Sequence, residues 1–160
     1  MSASFSFSES NGVGESIADG ITNLNFGSDD SPNLVSTTYP IVAGNNSFEK
    51  YFRVKFGGVF SEISNVKFWK SAGTYKTGES ILAIANQTYT QPVDTTSAKA
   101  VAPVPTEVGS ALAVQSTEGT PSLFTVPGYS KYLVAQLQTT VSAPAGLVNT
   151  KTFTLQYDEI

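Results

Sequence analysis

The chain has 160 residues, none of them His or Cys, with 13 acidic against 9 basic side chains and a net charge of −4. That composition withholds the imidazole that moves protons near neutral pH, the thiolate nucleophile, the disulfide and the usual zinc ligands. Only 14% of the residues are charged while ten Phe and seven Tyr are available for a core, so the whole of 1–160 is expected to fold as one domain.

Strand patterning begins at once. Ser4-Phe5-Ser6-Phe7-Ser8 alternates with the two-residue period of a half-buried strand, and a strand is predicted over 3–8. Residues 14–20 (GESIADG) hold the one stretch of helical character, a short turn framed by glycines. A second strand is predicted over 21–26, followed by polar loops at 27–33 and 43–46. Over 47–56, Phe48, Phe52, Val54 and Phe56 share one face while Tyr51, Arg53 and Lys55 take the other, as a sheet with one wet side requires. Gly57-Gly58 then marks a tight connection with positive φ, a hairpin or a bulge.

The strand predicted over 63–70 breaks its own alternation. Val66 and Phe68 fall on one parity and Ile63 and Trp69 on the other, which a bulge or burial of both faces resolves. Further strands are predicted over 80–85, 111–115, 131–138 and 151–157, the last alternating Phe153, Leu155 and Tyr157 with Thr152, Thr154 and Gln156. Between 90 and 109, Pro92, Pro103 and Pro105 stand among Thr, Ser, Ala and Val. Each Pro fixes φ and lacks a ladder donor, so a long extended excursion is expected there. No repeat of fixed period is present, against a propeller or solenoid. The expected class is all-β: a single antiparallel β-sandwich of about eight strands, jelly-roll-like or alternatively immunoglobulin-like without the paired cysteines.

Catalytic chemistry finds little support. A Ser nucleophile would need a base other than His, and neither G-x-S-x-G nor a helical S-x-x-K occurs. Glycoside hydrolysis needs only two carboxylates, yet nothing in the spacing selects Glu49 with Glu62, or Asp29 with Asp158, over other pairs. Gly12-Val13-Gly14 and Gly57-Gly58 lack the context of a phosphate loop. Asp29, Asp30, Ser31 and Asn33 offer hard oxygens for Ca²⁺ without the EF-hand pattern, and Asx turns explain them equally. Trp69, Tyr75, Tyr89 and Tyr129 are candidates for a sugar-stacking platform, although a lone strand Trp reads first as core. Lys50, Arg53, Lys55, Lys67 and Lys70 interleave with aromatics, but the acidic balance makes them ordinary solvent-facing positions. No enzyme activity, cofactor, metal, nucleic acid or membrane partner is expected. The opening Ser2-Ala3-Ser4 lacks the basic and apolar regions of a secretory signal, which suggests synthesis in a cytoplasm.

Three segments carry a resemblance. Residues 21–33 (ITNLNFGSDDSPN), the pair 39–41 (YPI) with 44–50 (GNNSFEK), and 63–70 (ISNVKFWK) occur in one layout over roughly residues 20–70. This layout resembles small β-sandwich virion proteins of tailed bacteriophages, which are decoration or minor structural components. The resemblance implies a capsid-cementing role on the head surface, or alternatively a tail, baseplate or host-facing binding role. It also implies the major capsid protein or other virion proteins as partners, self-association as a trimer, and no catalytic residues. Contacts are expected from the amino-terminal strand, with Ser4, Phe5, Ser6 and Phe7, and from the excursion, with Pro92, Thr95, Pro103 and Pro105. A carbohydrate-binding module is the alternative from another functional class.

Overall fold

The computed structural model describes residues 2–96, 99–117, 123–146 and 149–160. Within them the regular structure is β1 (Ala3–Asn11), β2 (Ser16–Ile21), β3 (Lys50–Gly58), β4 (Ile63–Ala72), β5 (Glu79–Gln87), β6 (Ala102–Pro103), β7 (Leu112–Ala113), β8 (Gly128–Tyr129), β9 (Tyr132–Thr139) and β10 (Thr152–Glu159), with a single 3-10 turn at Val108–Ser110. The strands form two antiparallel sheets. The large one runs β2-β1-β3-β9-β5-β6 with β8 added beside β3, and the small one runs β10-β4-β7. The all-β expectation holds.

The core lies where the sheets face each other. Phe52, Val54 and Phe56 of β3, Ile81 and Ala83 of β5, and Leu133, Ala135 and Leu137 of β9 meet Ile63, Val66 and Phe68 of β4. Phe7 near the start and Phe153, Leu155 and Tyr157 near the end of the chain pack on the same core. The inner face of β3 is thus the one its alternation predicts for Phe52, Val54 and Phe56, whereas Phe48 precedes the strand and is only half-buried.

Its outer face is not wet. Tyr51 is only 1% exposed. It joins Tyr132, Val134 and Ala100 in a second apolar cluster that also gathers Leu82, Ile84 and Tyr89. The segment following β5 lies over this face, so β9 is buried on both sides through Leu137 and shows no alternation, as doubly covered strands do not.

Bulges explain the irregular parities. Asn65 has φ 51°, and the β4–β10 register slips between Gln156 and Asp158, which turns Ile63, Val66 and Phe68 all inward. Trp69 is then thrown outward, half-buried on the outer face of the small sheet, and is not a core residue as its type suggested. The helical reading of 14–20 also yields: those residues enter β2, paired with β1 through a turn in which Gly12, Gly14 and Glu15 have positive φ. The strand predicted over 21–26 ends at its first residue, and Leu24 and Phe26 continue as an irregular strap packed against the core. β3 and β4 belong to different sheets, so Gly57-Gly58 opens a crossover instead of a hairpin. Gly58 has φ 84°, and a Cβ there would stand 2.6 Å from Ser2 O. Of the strand predicted over 111–115 only β7 forms.

Candidate functional site

The amino-terminal half of β1 is an edge. β3 pairs with Ala3 through Ser10, but β2 pairs only from Phe7 onward. Val54 O accepts the Ser130 N–H at 2.8 Å, so Val54 and its even-numbered neighbours in β3 turn toward β8 and β9. Arg53, Lys55 and Gly57 therefore turn toward β1, opposite Ser8, Ser6 and Ser4. The backbone groups of Ala3 and Phe5 are left on the open side. There the Ala3 N–H donates to Glu159 Oε1 at 2.7 Å. The Phe5 ring, 46% exposed, meets Tyr157 of β10 edge-on at 5.9 Å and Phe7 at 6.0 Å. Ser4, Phe5 and Ser6 also line a shallow groove of about 280 Å³ against Lys55, Phe56 and Gly57. β10 is itself the outermost strand of the small sheet. Two open edges, one from each sheet, thus lie along one flank.

The proline-rich excursion does not join them. Pro92 is buried. Thr95 O accepts from Gln136 Nε2 at 3.1 Å and from Asn46 Nδ2 at 3.5 Å. Glu49 accepts the backbone N–H groups of Lys99 and Ala100, the latter at 2.8 Å. Burial pushes the Glu49 carboxyl up from its ordinary value, opposed by those two donors. Pro103 pairs opposite Leu82 in β6, an exposed sheet edge where a missing N–H is tolerated, and Pro105 O accepts the Lys70 N–H at 2.8 Å. The excursion therefore packs on its own molecule and crosses to the small sheet at the opposite side from β1; its residues 97 and 98 lie outside the described residues. Ser4, Phe5 and Ser6 lie together at one surface groove, Phe7 packs on the core, and Pro92, Thr95, Pro103 and Pro105 pack on their own molecule.

The loop at 29–33 is likewise occupied. Asp30 takes the Asn11 side-chain N–H at 3.1 Å and the Gly12 backbone N–H at 2.8 Å. Ser31 O accepts from Lys50 Nζ at 2.6 Å, and the same ammonium pairs with Glu9 at 2.9 Å, both side chains being essentially unexposed. The loop's oxygens are thus spent on internal donors: Ser31 O on the Lys50 ammonium, Asp30 on Asn11 and Gly12, and Asp29 on the Ser31 hydroxyl. Among the described residues no group of three or more His, Cys, Asp or Glu side chains gathers in a way that could hold a metal ion. Glu9 Oε2 and Asn11 Oδ1 are buried there without a partner.

On the outer face of the large sheet, Arg53 lies over the rings of Tyr129 (4.0 Å) and Tyr132 (4.6 Å). Lys55 pairs with Asp19 at 2.6 Å, and the Tyr129 hydroxyl donates to the same carboxylate at 3.0 Å. The Lys55 and Ser8 donors hold Asp19 down at about 2. Burial is the main cause that raises Tyr51 and Tyr132 to about 12, with the neighbouring Glu49 and Glu15 carboxylates adding to it. The supposed aromatic platform is dispersed: Tyr89 packs on Tyr51, Tyr75 lies beside Lys70 and Lys151, and Trp69 is on the other sheet. Glu49 and Glu62 flank opposite ends of β3.

Because the small sheet covers only part of the large one, a cleft of about 1180 Å³ remains, floored by Phe52, Phe68, Ile81 and Leu137 and walled by Leu24, Phe26, Leu34 and Phe153. The buried Glu79–Lys151 ion pair stands in its wall. No sequence signal pointed to this cleft, since its apolar floor reads simply as core and its polar rim as loop. Among the described residues no helix is long and apolar enough to cross a membrane. Comparison with family models, with curated proteins and with solved structures finds no match to this chain.

Proposed function

We propose that the chain is a non-catalytic virion structural protein of a tailed bacteriophage, a decoration protein that cements the head by bridging capsid subunits. A jelly-roll affinity of the sandwich belongs to the same proposal. The observation that carries it is the flank on which β1 turns the Phe5 N–H and C=O to the open side beside the half-exposed Phe5 ring, the Ala3 N–H being held by Glu159. Main-chain hydrogen bonds from such an edge, with a side chain to seat, are the means by which one protein adds a strand to another. A molecule that binds only the assembled shell raises shell stability by mass action. The segments at 21–33 and 63–70 support the phage context.

Mixing the purified protein with expanded, undecorated capsids tests the proposal. Saturable binding and a raised capsid melting temperature are expected. Phe5→Pro, which removes the open-side N–H without touching the β3 ladder, should abolish both while the protein's own melting changes little. Binding to glycans with no affinity for capsids would overturn the reading in favour of a carbohydrate-binding module.

A further inference from the structure

β10 pairs on one side only, with β4. The direction of its backbone groups follows from that partner. Val66 O accepts the Val114 N–H at 2.9 Å and the Lys70 N–H donates to Pro105 O at 2.8 Å, so residues 66, 68 and 70 turn toward β7. Lys67 and Trp69 then turn toward β10, where they face Gln156 and Thr154. Alternation leaves the N–H and C=O of Phe153, Leu155 and Tyr157 pointing away from β4. Among the described residues no backbone hydrogen bond reaches them from that side.

Open edges in natural sheets are blunted by a Lys, a Pro, a bulge or a covering loop. The span Phe153-Thr154-Leu155-Gln156-Tyr157 carries no charge and no Pro, and the two register slips along β10 insert their extra residue into β4, leaving the outer edge regular. Charge enters only at the carboxyl end, with Asp158 and Glu159. At the amino end Lys151 is paired with Glu79 and contributes no free negative charge. A parallel neighbour would set acidic end against acidic end, whereas an antiparallel one keeps the two apart.

We infer that β10 pairs antiparallel with β10 of a second copy of this chain, Leu155 opposite Leu155 across a two-fold axis, so that two small sheets become one continuous sheet. In this register Phe153 stands opposite Tyr157 of the second copy, an aromatic pair of the kind that stabilises antiparallel ladders. A contact of this symmetry closes at two copies; it replaces the trimer that the resemblance implied. It stands whether or not the molecule decorates a capsid, because it concerns the purified chain alone.

The register is directly testable because the chain has no Cys. Thr154 and Gln156 of the second copy form a non-hydrogen-bonded pair, with Cα atoms about 4.5 Å apart, inside the range a disulfide spans. Oxidising a mixture of Thr154→Cys and Gln156→Cys proteins should give a mixed cross-linked dimer well above the yield of either alone, or of a Val141→Cys control at an exposed site. Sedimentation equilibrium of the unmodified protein should return a dimer mass. The Thr154→Lys/Gln156→Lys double variant, which opposes lysines across the axis, should shift it to monomer with an unaltered far-UV spectrum. A monomer or trimer mass for the unmodified protein overturns the inference. So does preferential cross-linking of Thr154→Cys with itself, which requires a different register.

Discussion

Lys50 and Glu9 carry opposite charges into the inner side of the sandwich, and their effect on stability is set by burial more than by attraction. Both are fully enclosed, and Asn11 and Ser31 complete the partners. Removing one partner strands a charge away from water. Lys50→Met is expected to cost about 3–5 kcal/mol in denaturant unfolding, and Glu9→Gln added to it should recover most of that loss. The acidic balance of the chain puts Lys50 with the other basic residues at solvent-facing positions. It is instead fully enclosed, and Lys70 nearly so, because Lys50 shares the parity of Phe52 and Val54 and its ammonium finds Glu9 and the Ser31 carbonyl inside. Alternation states where a residue points, but not that a loop 19 residues back in the chain supplies a further oxygen to the ammonium. Asp19 presents the opposite case, a partly exposed carboxylate. Its folded value of about 2 lies below the ordinary 3.8, so the charged form is favoured by folding. That stabilisation is fully present above pH 3.8 and is lost as pH falls through about 2. Melting temperatures of the parent and Asp19→Asn should therefore differ by a constant amount near neutrality and converge across that acidic window.

Two of the register slips fall at an asparagine in the left-handed region. Asn86 has φ 62° at the slip between β5 and β9, and its side chain works as a piece of backbone: Nδ2 donates to Ala113 O at 2.9 Å and Oδ1 accepts the Gln115 N–H at 2.8 Å. It thereby ties the large sheet to the segment that carries β7. Asn86→Ala should cost about 2–3 kcal/mol, while Asn86→Gly, which keeps the backbone conformation, should cost about half as much; urea unfolding of the two variants separates strain from lost hydrogen bonds. The bulge at Asn65 could be anticipated from the broken parity of Ile63, Val66, Phe68 and Trp69. The one at Asn86 could not, because nothing in Ile84-Ala85-Asn86-Gln87 fixes a register with the distant β9. The excursion was legible as extended but not as a cover. What holds it down is Glu49, whose carboxylate caps Lys99 and Ala100. Glu49→Ala should raise amide hydrogen exchange at Ala100 and in the outer-face cluster around Tyr51, with β4 and β10 unaffected.

The molecule divides its surfaces by task. The chain's own excursion covers the part of the large sheet's outer face around Tyr51, one edge of that sheet ends in the short β6 with its Pro103 and the other in β2, and the amino-terminal half of β1, left unpaired by β2, shares a flank with the open side of β10. Edge position depends on strand order, which is a property of the whole chain. Alternation in 3–8 and 151–157 identified two strands correctly, yet offered no means of knowing that they would lie over one another. The central claim is that this flank makes the functional contact. Amide hydrogen exchange, read by mass spectrometry on the protein free and bound to expanded capsids, tests it most directly. Slowed exchange is expected at the Phe5 amide of β1, with the excursion around Ala100 unchanged. Protection confined to the excursion or to the Trp69 face, with β1 exchanging as in the free protein, would contradict the account.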